Sequence, residues 1–284
     1  MGQRKNVLLL FSKVPEVGRV KTRLSTLKDG IFEPEQACKL YRCMLLDVVQ
    51  TCCAGLSYLE NHPSEGVEDV YELVISTTPA ANVPAMRELM EQAGPWPRPL
   101  TVVCDEGASF DEHYNDAFAQ AFADGADAVF SMGCDMPALT SYDIVRGFTA
   151  LHTLDASPMG GIVVAPDQEM GVSAVGWTRT TSFDHSGVYY NRSGLTVLPA
   201  YIRKAREAGL PALYLPPIPD VDTMADLMHN ITLVDALCYT AGFDGDGAAP
   251  THTRAWLEEM GMEEVLVPPN DLFDPRDQID RPAS

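Results

Sequence analysis

Val7-Leu8-Leu9-Leu10-Phe11-Ser12-Lys13-Val14-Pro15-Glu16-Val17-Gly18-Arg19-Val20-Lys21-Thr22-Arg23-Leu24 is the stretch on which the reading of this chain turns. Its first five residues form an unbroken apolar run that ends at Ser12-Lys13, with Pro15 and Gly18 just beyond. An apolar run of this length bounded by turn signals reads as a strand buried on both faces, followed by a loop. Working outward, Pro34 to about Cys53 repeats apolar residues at helical spacing through Ala37, Leu40, Tyr41, Met44, Leu45 and Val48. Strand-like segments follow at 70–76, 100–104 and 126–132, alternating with helical segments at 84–93, 110–123 and 141–151. That alternation predicts βαβ units and a mainly parallel sheet.

Beyond Gly160 the rhythm changes. Strand-like segments at 161–165 and 172–177 are separated by a polar turn, and a helix is expected around 198–208. A short strand at 212–215 then leads through Pro216-Pro217-Ile218-Pro219 to a helix from Met224 to about Leu237. Residues 239–284 read as an acidic C-terminal extension to a main domain of 1–238, with one short helix at 253–260.

Composition narrows the class. Hydrophobic residues make up 46% and charged residues 21% of 284, which allows a sizeable core. No run approaches the roughly 20 apolar residues of a membrane span, and the N-terminal apolar run is short for a secretory signal. Seven cysteines without a CxxC pair fit thiols of a cytoplasmic protein, and six scattered histidines argue against a zinc site. The net charge of −20 disfavours a nucleic-acid polymer as partner. Within it, residues 1–30 hold seven Lys/Arg against two acids, and residues 241–284 hold ten acids against three bases. A basic patch in an acidic protein suggests a small anionic ligand such as a nucleotide; a solvated surface is the plain alternative.

Three segments carry candidate chemistry. Lys13, Gly18, Arg19, Lys21 and Arg23 sit in the loop after the first strand, at the sheet edge where open α/β proteins bind ligands. Glycine admits close backbone approach to a phosphate, and Lys and Arg supply charge. The loop is neither a Walker A motif nor GxGxxG, which leaves little support for a nicotinamide-dependent oxidoreductase. Gly133-Cys134-Asp135-Met136-Pro137 places a carboxylate at the end of a mid-chain strand, suited to Mg²⁺ or to a plain turn. In Asp220-Val221-Asp222-Thr223, either Asp222 or Thr223 can cap the next helix with Asp226 in the capping-box position. Strand-like geometry would put Asp220 and Asp222 on one side.

These motifs, taken together, resemble those of the glycosyltransferase-like and nucleotidyltransferase-like proteins related to 2-phospholactate guanylyltransferase, of the radical-SAM-associated transferase type. Phe-Ser-Lys-Val-Pro-Glu-Val-Gly-Arg-Val-Lys-Thr-Arg-Leu is similar to that family's opening motif, and Gly-Cys-Asp-Met-Pro-Ala-Leu to its central Gly-x-Asp-x-Pro-x-Leu. Asp-Val-Asp-Thr-Met-Ala-Asp-Leu is similar to its closing motif, so the resemblance spans residues 5–235. It implies an α/β, Rossmann-like, mostly parallel sheet flanked by helices, of the GT-A or nucleotide-diphospho-sugar transferase type. It further implies a nucleoside triphosphate or NDP-sugar over the first loop, Mg²⁺ (or Mn²⁺) at Asp135, Asp220 and Asp222, and Lys21, Arg23 and Asp135 as catalytic groups. A small-molecule acceptor would lie near Glu169, Gly171 and Ser173.

Two departures bear on the acceptor side. Gly107-Ala-Ser109-Phe-Asp111-Glu-His113 stands where the family has Gly-Gly-Asp-Leu-Gly-x-Arg, and Glu169-Met170-Gly171-Val-Ser173 where it has Asp-Gly-Gly-Tyr-Tyr. His113 reads as a ligand contact or as an exposed helix histidine. The functional expectation is a metal-dependent nucleotidyl or glycosyl transferase, with a catalytically degenerate nucleotide-binding protein of the same fold as the alternative. The sequence leaves the base, the acceptor and the oligomeric state open.

Overall fold

The computed structural model describes residues 2–28, 30–64, 66–244 and 248–265. Strand β1 (Gly2–Phe11) lies in the interior of a seven-stranded sheet, third from one edge. It pairs in parallel with β2 (Val67–Ser76) on one side and β4 (Ala128–Met132) on the other, with Leu8 opposite both Leu73 and Phe130. A central parallel strand is covered on both faces, which is why its apolar run is continuous and not alternating. Val7 to Leu10 are all buried.

Strand β3 (Leu100–Val103) extends the sheet beyond β2. On the far side β5 (Ile162–Pro166) and β6 (Val172–Thr178) form an antiparallel hairpin, and β6 also pairs antiparallel with β4. Strand β7 (Ala212–Tyr214) closes the order β3-β2-β1-β4-β6-β5-β7 by running parallel to β5. The mostly parallel α/β expectation therefore holds, with β6 as the one reversed strand among the described residues.

Helices cover both faces. Helix α1 (Pro34–Asn61) starts with proline in its first turn, where a missing N–H costs nothing, and Gln36 Oε1 accepts from the Glu33 N–H at 2.8 Å. It runs past the expected end at Cys53 because Leu56 and Leu59 continue its buried face. Together with α2 (Val83–Ala93) and α4 (Ser141–Asp155) it buries one face of the sheet. On the other face α3 (Phe110–Ala123) and α5 (Val197–Glu207) pack around Phe118, Trp177 and Tyr201. Each fully buried side chain of this size contributes roughly 1.5–3 kcal/mol.

A third apolar cluster joins α1 to α6 (Met224–Asp244) and α7 (Thr251–Glu259). Residue 239, where the extension was expected to begin, falls inside α6, and α7 packs against α1. Residues 266–284 of that extension lie outside the described residues.

At the N-terminal end of β1 a buried polar network ties strand to helix. The Arg4 guanidinium donates to both oxygens of Asp69, at 2.6 and 2.9 Å, and to His152 Nδ1 at 3.1 Å. Because a guanidinium only donates, Nδ1 carries no proton, and Nε2–H donates to Asn6 Oδ1 at 2.9 Å. His152 is thereby fixed as a neutral imidazole, and burial, with Arg4 nearby, pushes it down to about 4. No helix among the described residues is long and apolar enough to cross a membrane.

Candidate functional site

The loop that leaves β1 is built from successive turns: the Arg19 N–H donates to Glu16 O and the Leu24 N–H to Lys21 O, each at 3.0 Å. Gly18 has φ +74°, a left-handed conformation that glycine adopts without steric cost. Lys21 has φ +46°, where a side chain is uncommon and the backbone holds strain of about 1–3 kcal/mol. Its neighbours explain how that is sustained: Val20 and Leu24 are buried and anchor the turn from both sides. The consequence is directional, because the Lys21 side chain is turned inward and only 6% exposed.

Its ammonium lies between two carboxylates from distant parts of the chain. Lys21 Nζ donates to Asp135 Oδ2 at 2.7 Å and to Asp222 Oδ1 at 2.9 Å, and it sits 6.0 Å from the centroid of the Tyr41 ring. Arg23 Nη1 reaches the other oxygen of Asp222 at 3.3 Å from an exposed position. Tyr41 ties the start of the loop to α1: its hydroxyl is 3.0 Å from Ser12 Oγ and accepts from the Lys13 N–H at 3.2 Å.

Asp135 follows β4 at the C-terminal edge of the sheet. Gly133 leaves room for it, since a Cβ there would stand 2.9 Å from Asp135 Oδ1. The Asp135 carbonyl accepts from the Val221 N–H at 3.0 Å, which locks the central and closing motifs together. Within the closing motif the capping question is answered by Thr223 and Asp226. Asp226 Oδ2 accepts from the Thr223 N–H at 2.6 Å, and Thr223 Oγ1 accepts from the Asp226 N–H at 3.3 Å. That reciprocal pair is the capping box of α6. Asp220 and Asp222 are therefore free of capping duty.

Burial pulls the Lys21 ammonium down, but the carboxylates of Asp135 and Asp222 more than offset it, so the group stays charged above the ordinary lysine value. Burial raises the Asp222 carboxyl, and Lys21 then holds it below the ordinary range. Asp220 lies outside the lysine's reach. Burial first, and then the negative charge of Asp135, push it up to about 7, although Gln168 Nε2 donates to its Oδ1 at 2.8 Å.

The fold does not bring every expected residue to this point. Lys13 is exposed, with its N–H committed to Tyr41, and Arg19 pairs with Glu16 at 3.0 Å on the loop's outer side. On the acceptor side, the Glu169 and Gly171 N–H groups both donate to Asp167 Oδ1, at 2.7 and 2.8 Å, making a tight turn with exposed Met170 at φ +66°. Ser173 Oγ donates to the Ile218 carbonyl at 2.6 Å, so its proton holds β6 against the segment before Asp220. The turn meets the site through Gln168, which bonds both Asp220 and Asp226.

Gln168, Tyr41 and Tyr114 were not expected from sequence. Nothing in their local spacing marks them. Tyr114, from α3, stacks on Phe11, the last residue of β1, with ring centroids 3.8 Å apart, near enough for the Asp135 charge to act on its hydroxyl. His113 is half-buried, not exposed: its Nδ1 lies 2.6 Å from Oδ1 of buried Asp105, off the line of a hydrogen bond. Ser76 Oγ donates to the other oxygen of Asp105 at 2.5 Å. Asp111, where the family has glycine, accepts from the Gly187 and Tyr189 N–H groups at 2.7 and 2.8 Å and so fastens the loop after β6 to α3.

Among the described residues no group of three or more His, Cys, Asp or Glu side chains is arranged as a ready metal cluster. The Lys21 ammonium occupies the space between Asp135 and Asp222. The chemistry of the donor set nonetheless fits a hard divalent cation. It consists of carboxylate oxygens, and Asp220, close enough to feel the Asp135 charge, has no cationic partner among the described residues.

Residues 67–192 match the family described as "Uncharacterized protein conserved in bacteria (DUF2064)". No curated protein sequence matches the chain. Among solved structures the chain is similar to a candidate nucleotide-diphospho-sugar transferase from Desulfovibrio desulfuricans G20, at 26% identity and a TM-score of 0.66, covering 90% of this chain and 95% of that one. A CMP:2-keto-3-deoxy-manno-octonic acid synthetase complexed with CTP matches at 13% identity and a TM-score of 0.47, over 82% of this chain and 99% of that one. A cytidylyltransferase from Leptospira borgpetersenii serovar Hardjo-bovis (strain JB197) matches at 10% identity and a TM-score of 0.47, over 93% and 99%. Residues 67–192 are thus similar to the DUF2064 family, and the chain has the fold of a candidate nucleotide-diphospho-sugar transferase, in keeping with the resemblance read from its motifs.

Proposed function

We propose that the protein is a metal-dependent transferase acting on a nucleotide-activated substrate. It transfers either a nucleotidyl group from a nucleoside triphosphate or a glycosyl group from an NDP-sugar to a small-molecule acceptor. The observation that carries this reading is the seat of Lys21: a buried ammonium from the loop after β1, in contact with carboxylates from the ends of two other segments. Such a cluster at the C-terminal edge of an open α/β sheet is placed for a polyphosphate. Likeness to a candidate nucleotide-diphospho-sugar transferase supports it.

Both reactions build charge on phosphate oxygens, so the protein's work is positioning and electrostatic stabilisation. Lys21 and Arg23 neutralise the phosphates, and Gly18 gives their loop its left-handed turn, while Lys13 is exposed and Arg19 pairs with Glu16 on the loop's outer side. Asp135, with Asp220 and Asp222, would hold Mg²⁺ or Mn²⁺, which supplies further charge neutralisation at those oxygens. The 169–171 turn, tied to Asp220 through Gln168, borders the acceptor, and Ser173 fixes its strand. No covalent nucleophile is required. Burial and the adjacent Asp135 push the Cys134 thiol up, which suits packing and not attack.

The test is a thermal-shift screen of nucleoside triphosphates and NDP-sugars with and without Mg²⁺, followed by pyrophosphate release with each of the four triphosphates. A ligand at 100 times its Kd stabilises by about 2.7 kcal/mol. Response to triphosphates with pyrophosphate release supports nucleotidyl transfer; response to NDP-sugars alone supports glycosyl transfer. Silence with every nucleotide sinks the reading. Nucleotide binding that Asp135→Asn leaves unchanged, with no turnover, would favour the degenerate binding protein.

A further inference from the structure

The charged residues of the site alternate with apolar ones that share a single cluster. Val20 precedes Lys21, Leu24 follows Arg23, and Val221 separates Asp220 from Asp222; all three are buried together with Tyr41, Phe32 and Trp256. Trp256, from α7, is the bulkiest fully buried side chain of that cluster and is 1% exposed. Its ring meets Phe32 edge-on at 5.1 Å. Phe32 in turn closes the loop: its N–H donates to the Leu24 carbonyl at 3.1 Å, and its carbonyl accepts from Thr26 at 2.8 Å.

Helix α7 is itself fastened to the body of the protein. Buried Asp47 of α1 accepts from the His252 and Thr253 N–H groups at 2.9 and 2.7 Å, satisfying two free donors of the first turn of α7 from another helix. Lys39 pairs with Glu259, and Gln36 Nε2 donates to Met260 Sδ at 3.7 Å, so the other end is held as well. A short helix fastened at both ends, with its largest side chain under a strained catalytic turn, does more than fill space. A left-handed lysine needs surroundings that leave it no relaxed alternative.

We propose that α7 is a positioning element of the site, and that Trp256 is the residue through which it sets Lys21, Arg23 and the 220–222 segment. This gives the C-terminal segment a function that its sequence did not reveal. The packing inference stands on the cluster alone, and its consequence for phosphate binding rests on the transferase reading above.

Two readouts on the full chain separate these. Hydrogen exchange of wild type and Trp256→Ala is compared at the Leu24, Thr26 and Phe32 amides. Pyrophosphate with Mg²⁺ is titrated calorimetrically against both proteins. Trp256→Ala is expected to lose protection at those amides while β1, β4 and α3 keep theirs, and to weaken pyrophosphate binding about tenfold, the loss of about one charge-assisted hydrogen bond. Trp256→Phe keeps an aromatic edge on Phe32 and is expected to restore both. Phe148→Ala, at an equally buried aromatic on α4, is the control for general loosening and leaves both readouts at wild-type values. If Trp256→Ala fails to fold, Trp256→Leu takes its place in the same comparison.

Unchanged protection at 24–32, or a loss spread evenly over the chain, overturns the proposal. Selective loss of protection in a protein whose wild type ignores pyrophosphate upholds the buttress and removes the phosphate site instead.

Discussion

The ammonium of Lys21 and the carboxylate of Asp135 meet at 2.7 Å although 114 positions separate them in the chain. The contact joins the segments that follow β1 and β4, two neighbouring strands, and Asp222 reaches the same ammonium from the segment before α6. Asp135 is 27% exposed and Lys21 is 6%, so the pair meets solvent on the aspartate's side.

Removing the lysine should therefore hurt twice. Lys21→Met leaves Asp135, Asp220 and Asp222 with Arg23 as their remaining cation. It is expected to lower stability by about 1 kcal/mol, because the carboxylates left behind are 27% and 47% exposed and regain water, and to abolish nucleotide-induced stabilisation. Urea titration with and without nucleotide reads both effects. Wild-type nucleotide response in the variant would show that the lysine plays no part in binding.

Lys21→Arg keeps the charge but not the shape. A planar guanidinium with a fixed fork does not fit where a compact ammonium bonds two carboxylates from between them. Turnover is expected to fall about 100-fold, as for other misplacements of a reacting centre. Arg19→Ala should change activity little, because Arg19 already pairs with Glu16 on the loop's outer side. Steady-state rates of the two variants side by side check the contrast.

Asp220→Asn removes the one carboxylate of the three that lacks a lysine or arginine contact. Folding should survive, because Gln168 can still bond the amide. The extra stabilisation that Mg²⁺ adds to a bound triphosphate should shrink about tenfold in apparent metal affinity, as loss of a ligand-shell group commonly does. Metal titration in the presence of nucleotide measures it, and an unaltered midpoint would exclude Asp220 from the metal shell.

His152 makes stability depend on pH. Its folded value of about 4 lies below the ordinary 6.5. Between those values the unfolded chain binds a proton that the folded chain refuses. Stability is therefore complete above pH 6.5 and is lost as pH falls towards 4. His152→Gln should show a smaller drop in urea midpoint between pH 7 and pH 5 than wild type. An equal drop in both would assign the acid sensitivity elsewhere, for example to His185, which burial pushes down to about 3.

The periodicity of apolar residues was sufficient to locate the sheet and helices, because burial on one or both faces imposes its own spacing on the chain. Val7 to Phe11 announced a central strand, Thr223 with Asp226 announced a helix start, and the three motifs named the acids and cations worth watching. The reversal of β6 was illegible, since an apolar strand looks the same in either direction and only its partners decide. Among four cations in one loop, tertiary structure selected Lys21 by turning its backbone left-handed between two buried anchors. Gln168 and Tyr41 reach the site from other elements, and Trp256 packs from far along the chain into the apolar cluster of its loop. Local sequence records propensity and pattern, while which distant side chain fills a given space is settled only when the core closes.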